Sequence, residues 1–123
     1  MWESEVLAKL GEDGIQRLIR EFYSQIPEDP LLGPMYPEDD LDAAEERLRD
    51  FVIFRLGGSP RYIQERGHPR LRQRHVPFPV DQAARDRWVQ LMDKAFVQSE
   101  VPEDLATPLR EFFADVATFL INR

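Results

Sequence analysis

The ten prolines of this 123-residue chain decide where regular structure has to stop. Proline has no backbone N–H to donate, and it pushes the residue before it out of the helical region. The stretch "PEDPLLGPMYPEDD" (27–40) holds four prolines and a glycine, so it is no regular element. From 60 to 78 the chain is broken again: Pro60, Gly67, Pro69, Pro77 and Pro79 leave room only for short helical turns. The stretches between these breaks all carry the same signal, apolar residues spaced three and four apart.

In "EDGIQRLIREFYSQI" (12–26), Ile15, Leu18, Ile19, Phe22, Tyr23 and Ile26 trace one helical face, and Pro27 ends it. A shorter helix is expected over Glu3 to Leu10, stopped by Gly11. Leu31, Leu32, Met35 and Tyr36 make the first prolyl loop apolar enough to lie over the core as a lid. A second helix is expected over 41–56, with Leu41, Ala44, Leu48, Phe51, Val52 and Arg55 on one face. Asp40 is its candidate N-cap, and "GGSP" (57–60) its stop. Val80 and Asp81 start a long helix that carries Ala84, Trp88, Leu91, Met92, Ala95 and Phe96 along one side. The last helix begins near Pro102 or Thr107, and Thr107-Pro108 reads as an N-cap followed by a first helical position. It carries Leu105, Leu109, Phe112, Phe113, Val116, Phe119 and Leu120. No period-two pattern appears, so the chain is expected to be all-α: four good helices and an irregular middle.

Composition narrows the function. Hydrophobic residues make up 42% and charged residues 32%, a globular balance that suits one domain with a real core. The net charge of −7 lacks the basic footprint of a nucleic-acid binder. The chain has no cysteine, which removes disulfides, thiolate metal sites and cysteine nucleophiles, and fits the cytoplasm. "MWESEVLAKL" shows no signal-peptide pattern, and no apolar run approaches the roughly 18–20 residues of a membrane span.

The only two histidines lie in "RGHPRLRQRHVPF" (66–78). His68 sits between Gly67 and Pro69 in a polar setting. His75 precedes Val76-Pro77-Phe78, on a turn about to break, from which an imidazole can swing into an adjacent cavity. Glu65 and His68 have the Glu-x-x-His spacing of carboxylate-bridged di-iron bundles. Those sites need a second copy and long straight helices, and this chain offers neither. A two-histidine, one-carboxylate iron site would consume every histidine and has no other support. What remains is a metal that brings most of its own ligands: haem needs one neutral histidine, an apolar pocket and cations for its propionates. Arg61, Arg66, Arg70, Arg72 and Arg74 cluster in this segment, offset only by Glu65. Most of them suit a solvated basic patch, and an anionic cofactor needs only one or two.

These residues resemble the group II truncated haemoglobins over essentially the whole chain. "FYSQI" (22–26), "PMYPEDDL" (34–41), "AEERLRDF" (44–51), "GG" (57–58), "RGHPRLRQRHVPF" (66–78) and "RDRWVQLM" (85–92) follow the family pattern in order. The run from Arg66 to Phe78, with Trp88 ten residues beyond it, is the most specific part. The resemblance implies a truncated globin occupying 1–123 as a single domain, folded as a two-over-two α-helical sandwich with a loop-like proximal segment. It implies haem b as cofactor and His75 as the iron's ligand. It puts the polar residues Trp88, Tyr36 and Tyr23 on the distal side, and Ala44 and Leu48 at the two distal-helix positions facing the iron. Arg47 and Arg74, with Tyr62, are implied near the propionates, and Phe51 and Phe78 among the haem contacts. Three features depart from the pattern. Arg55 and Leu56 stand where an aromatic pair is frequent, Gln73 replaces a frequent methionine, and a glycine pair is split into Gly11 and Gly14. They bear on haem-edge packing and ligand access.

At such a site the second imidazole nitrogen is expected to donate to a backbone carbonyl, which fixes the tautomer. Dioxygen there gains partial negative charge. Ala44 cannot donate a hydrogen bond, whereas Trp88, Tyr36 and Tyr23 can. Two functions follow from the resemblance: reversible binding of dioxygen and other diatomic ligands for sensing, storage or transport, or a haem enzyme of nitric oxide dioxygenase or peroxidase type. No residue is assigned a catalytic role. The expected partners are the diatomic ligands and an unidentified reductase, with no nucleic acid and no membrane, in a monomer or homodimer. A cofactor-free helical interaction module is the third reading, and it predicts a colourless protein.

Overall fold

The first helix, α1 (Trp2–Tyr23), shows how closely the apolar spacing dictates the elements. Its buried residues Val6, Ile15, Leu18, Ile19, Phe22 and Tyr23 fall at helical intervals. The computed structural model of the chain describes all of residues 1–123. At Gly11 the backbone leaves the helix (φ 74°, ψ 168°), so α1 is two helical pieces meeting at a break, as its sequence predicts. Positive φ is open to glycine at little cost because it has no Cβ. The helix ends at Tyr23, three residues before the expected Ile26. The chain tightens there, with the amides of Gln25 and Ile26 reaching back only three residues, and Ile26 is still buried.

The prolyl loop after it does cover the core. Leu32 is buried and Met35 and Tyr36 pack on the core cluster, while Leu31 faces solvent. Buried Asp29 organises the loop. One carboxylate oxygen accepts from the amides of Leu31 (3.1 Å) and Leu32 (2.8 Å), and the other pairs with Arg87 at 3.3 Å.

Helix α2 (Leu41–Arg55) buries Ala44, Phe51, Val52 and Ile53. Asp40 stands at its N-cap position, but its side chain makes no cap bond. Arg47 takes that carboxylate instead, at 2.7 Å. Arg55 is on the predicted face only at its edge: it is exposed, and its guanidinium lies 5.4 Å from the Phe112 ring centroid. The two glycines that follow have different duties. Gly57 takes φ 91° and donates to Phe54, while the Gly58 amide donates to Ile53 at 2.8 Å, closing the two bonds of a Schellman stop. A Cβ on Gly58 would come within 2.7 Å of the Ile53 side chain.

The irregular middle contains α3 (Arg61–Arg66) and the single turn α4 (Leu71–Arg74), separated by Gly67 at φ 76° and by Arg70 in the left-handed region. Helix α5 (Gln82–Gln98) starts at Asp81, whose carboxylate caps the Ala84 amide at 2.8 Å. Helix α6 (Glu103–Phe119) begins at the first of the two expected places, after Pro102. The reading of Thr107 as an N-cap is therefore corrected. Pro108 lies inside the helix, and Thr107 bonds back to the Glu103 carbonyl at 3.0 Å. The proline's missing N–H leaves the Asp104 carbonyl without its helical donor, on an exposed residue that solvent can reach. Phe119 lies off the buried face and is 56% exposed.

Helix α1 packs on α2, α5 on α6, and α1 also meets both α5 and α6, giving two helix pairs stacked as an all-α sandwich with no strand. One apolar cluster, including Phe22, Leu18, Ile19, Val52, Phe96 and Leu109, runs between the layers. No helix is long and apolar enough to cross a membrane.

Candidate functional site

Between α2, α5, α6 and the irregular middle lies a cavity of about 500 Å³ with mainly hydrophobic walls. That volume falls within the ~300–1,000 Å³ of small-molecule and cofactor sites. All eleven residues singled out from the sequence line it: Tyr23, Tyr36, Ala44, Arg47, Leu48, Phe51, Tyr62, Arg74, His75, Phe78 and Trp88. His68 does not. It is exposed, and its carbonyl accepts from Arg74 at 3.2 Å.

His75 is the C-cap of α4. Its Nδ1 lies 2.7 Å from the carbonyl oxygen of Leu71, one helical turn earlier. A carbonyl can only accept, so Nδ1 carries the proton and Nε2 of the neutral ring carries the lone pair. The turn therefore carries an imidazole with a free lone pair at the wall of an apolar cavity. Phe78 packs edge-on to the imidazole at 6.3 Å.

The polar aromatic side chains come from two longer helices and the prolyl loop. Trp88, nearly two turns into α5, is lodged between Phe22 of α1 (ring centroids 4.9 Å apart) and Phe113 of α6 (5.7 Å). Tyr23 ends α1, and Tyr36 comes from the prolyl loop. Their rings meet edge to face at 5.7 Å. Burial pushes the Tyr23 phenol well above its ordinary pKa, and the neighbouring Tyr36 adds to this. Burial also raises Tyr36, partly offset by Trp88 and Tyr23. Both phenols remain protonated O–H donors at neutral pH. Ala44 and Leu48 of α2 supply apolar wall only.

Cations gather at the rim. Arg47 is held by Asp40 through both terminal nitrogens (2.7 and 3.4 Å), and the hydrogen bond keeps the Asp40 carboxyl below the usual range. Arg74 lines the cavity but is largely committed elsewhere. Its Nε donates to the Pro69 carbonyl at 2.6 Å, and one Nη donates to Arg66 at 2.7 Å and to His68. Arg66 also lines the cavity, with no protein acceptor. Of the other arginines in this segment, Arg61 lines a separate polar cleft of about 130 Å³ near Asp50. Arg72 reaches the carbonyls of Phe119, the last residue of α6, and Ile121 at 2.8 and 3.3 Å.

Residues not singled out from the sequence complete the walls. Phe112, Phe113, Val116 and Ala117 of α6, with Leu120 just past its end, form one, and Leu71 belongs to another. The α6 residues were visible only as a helical face, since periodicity does not distinguish a wall of core from a wall of pocket. The Leu71 carbonyl had one readable signal, its position four residues before His75 in a helical turn.

The donor set fits a haem. One neutral imidazole has its other nitrogen already fixed, the volume is large and apolar, and cationic groups stand at the rim for the propionates.

Comparison with known proteins gives the same assignment. The family model described as bacterial-like globin matches residues 7–122. The group 2 truncated haemoglobin YjbI of Bacillus subtilis is 38% identical over 86 residues, 70% of this chain. That match spans 64% of the relative's own length. The X-ray structure of a thermostable haemoglobin from the actinobacterium Thermobifida fusca superposes with a TM-score of 0.89 at 42% identity, covering 99% of this chain and 98% of that one. The truncated oxygen-avid haemoglobin from Bacillus subtilis superposes with a TM-score of 0.90 at 31% identity, covering 95% and 98%. The chain belongs to the bacterial-like globin family, among the group II truncated haemoglobins.

Proposed function

We propose that residues 1–123 form one globin domain that binds haem b through Nε2 of His75 and holds dioxygen and other diatomic ligands beside Trp88, Tyr36 and Tyr23. The observation that carries this reading is the 2.7 Å contact from His75 Nδ1 to the Leu71 carbonyl, which leaves a lone pair at the cavity wall. Haem, when bound, supplies an iron that takes one protein ligand and keeps a coordination position for a diatomic molecule. The chain's own residues do the rest. His75 holds its ring in one tautomer. Phe51, Phe78, Leu48 and Ala44 exclude water. Arg47, Arg66 and Tyr62, which line the cavity, would hold the propionates, joined by the remaining Nη of Arg74. The indole N–H and the two phenols would donate to a guest that carries partial negative charge. The oxygen-avid relative supports dioxygen as that guest. The test is an absorption spectrum of the ferric, ferrous and oxygen-exposed protein after haem addition. A Soret band with distinct ferrous and oxygenated spectra is expected, and a colourless protein would overturn the reading.

A second reading, a haem enzyme acting on nitric oxide or peroxide, is favoured by the three donors lining one cavity, two of them phenols that burial keeps protonated. Slow ligand release by such a site suits chemistry better than transport. An external reductase would then return the iron to its ferrous state. Steady-state turnover with nitric oxide or peroxide separates the two readings. The absence of cysteine suits a cytoplasmic location, and the assembly is read as a monomer or homodimer.

A further inference from the structure

The turn that follows His75 cannot hold itself. From His75 to Val80 it includes Pro77 and Pro79, which have no N–H, and beyond the Phe78 amide bonding the His75 carbonyl at 2.9 Å it has little internal pairing. A single side chain from another element supplies what is missing. Asn122, three residues past the end of α6, uses its carboxamide at both ends. Its Oδ1 accepts from the Val80 amide at 2.9 Å. Its Nδ2 donates to the carbonyl of His75 at 3.2 Å and to that of Phe78 at 3.0 Å. Its backbone N–H donates to the Val80 carbonyl at 2.8 Å. Arg72 ties the same segment from the other side, donating to the carbonyls of Phe119 and Ile121.

We propose that Asn122 is a positioning residue for His75. It fixes the backbone of the turn from its far side, while the Leu71 carbonyl fixes the ring from the near side. The chemistry selects a carboxamide. A carboxylate keeps the acceptor for Val80 but loses both donors, and an aliphatic side chain loses all three contacts. Hydrogen bonds to the carbonyl of the ligand residue itself set where the imidazole begins, so losing them widens the range of positions from which Nε2 meets an iron. This inference rests on the reading of His75 as the haem ligand.

The experiment compares the wild-type chain with Asn122→Asp and Asn122→Leu, using Arg72→Gln as a control that loosens the segment after α6 without touching the His75 carbonyl. In the haem-loaded ferrous protein, resonance Raman reads the iron–histidine stretch, and transfer to a haem-free acceptor globin reads haem loss. Asn122→Asp is expected to shift and broaden the stretch and to speed haem loss by about tenfold, the weight of two neutral hydrogen bonds. Arg72→Gln is expected to leave the stretch in place. In the haem-free chain, exchange of the Val80 amide is expected to quicken in Asn122→Leu and to stay slow in Asn122→Asp, which keeps the acceptor. An unchanged stretch and unchanged haem loss in Asn122→Asp overturns the proposal, as does a Val80 amide indifferent to Asn122→Leu. A stretch that moves equally in Arg72→Gln also overturns it, since Asn122 would then be a general fastener. If Asn122→Leu fails to fold, Asn122→Asp still decides. A wild-type chain that takes up no haem refutes the haem reading and the positioning role with it. A haem-bound wild type indistinguishable from Asn122→Asp refutes only the positioning role.

Discussion

Trp88 and His75 line the same cavity but are held there by different forces. The indole is wedged between Phe22 and Phe113, 4.9 and 5.7 Å away, on a 17-residue helix whose neighbours are buried apolar side chains. The imidazole rides on a four-residue turn with no buried residue of its own. That turn is secured by side chains reaching backbone carbonyls: Arg74 to the loop before it, Arg72 across to the end of α6, and Asn122 back from beyond α6 to His75 itself. One wall is shaped by burial of area, which tolerates no loss of volume. The other is shaped by directed bonds, which tolerate no loss of geometry. Each should therefore fail under a different kind of substitution.

The largest effect tests the metal side of the contrast. His75→Ala is expected to abolish stable haem binding, and His68→Ala to leave it intact, both read from the Soret absorbance. A haem-replete His75→Ala protein with an unchanged spectrum would reverse the assignment. Next, Phe22→Ala should destabilise the chain by about 3–5 kcal/mol in denaturant unfolding, because Phe22 is fully buried. Arg74→Ala should cost less, about 1–3 kcal/mol, and the damage should be local, with faster amide exchange confined to 66–75. Lysine should not rescue it, since one ammonium cannot reproduce the guanidinium's fork. Trp88→Phe keeps most of the packing but loses the N–H. It should speed dioxygen release about two- to tenfold in stopped flow, and release that is unchanged or slower would remove Trp88 from the donors. The smallest effect is one of pH. Tyr23 and Tyr36 have folded-state pKa values raised above the unfolded value near 10. Their contribution to stability is thus complete below about pH 10 and is lost as pH rises through the folded values. Tyr23→Phe should flatten this alkaline decline in the denaturation midpoint.

The same contrast explains what could be read in the sequence. Helices held by burial leave a period, so α1, α2 and α5 were visible at nearly their true bounds, including the break at Gly11. Trp88 was visible as a core position, and only the family likeness marked it as lining a pocket. Directed bonds leave no period. Nothing in the spacing of Arg74 says that its guanidinium turns back onto the carbonyls of 66, 68 and 69, and nothing in Asn122 announces a partner 47 residues earlier. Thr107-Pro108 misled for a related reason. Threonine before proline is a frequent helix start, but here Pro102 had already begun the helix, and the carbonyl deprived by Pro108 belongs to an exposed turn. Asp40 likewise occupied its cap position while a stronger partner, Arg47, claimed the carboxylate.

None of the five arginines between 61 and 74 has a carboxylate within 4 Å; every ion pair in the chain lies elsewhere. With Glu65 as the only acid from 60 to 78, that segment carries +4, and the remaining residues carry −11 to make the total of −7. The molecule is an electric dipole whose positive pole coincides with the turn bearing His75. In dilute salt such a dipole turns in the field of an approaching anion before contact, presenting that face first. At physiological ionic strength the reach of the effect shrinks to roughly 8 Å. Salt thus sets the angle of approach as well as the rate.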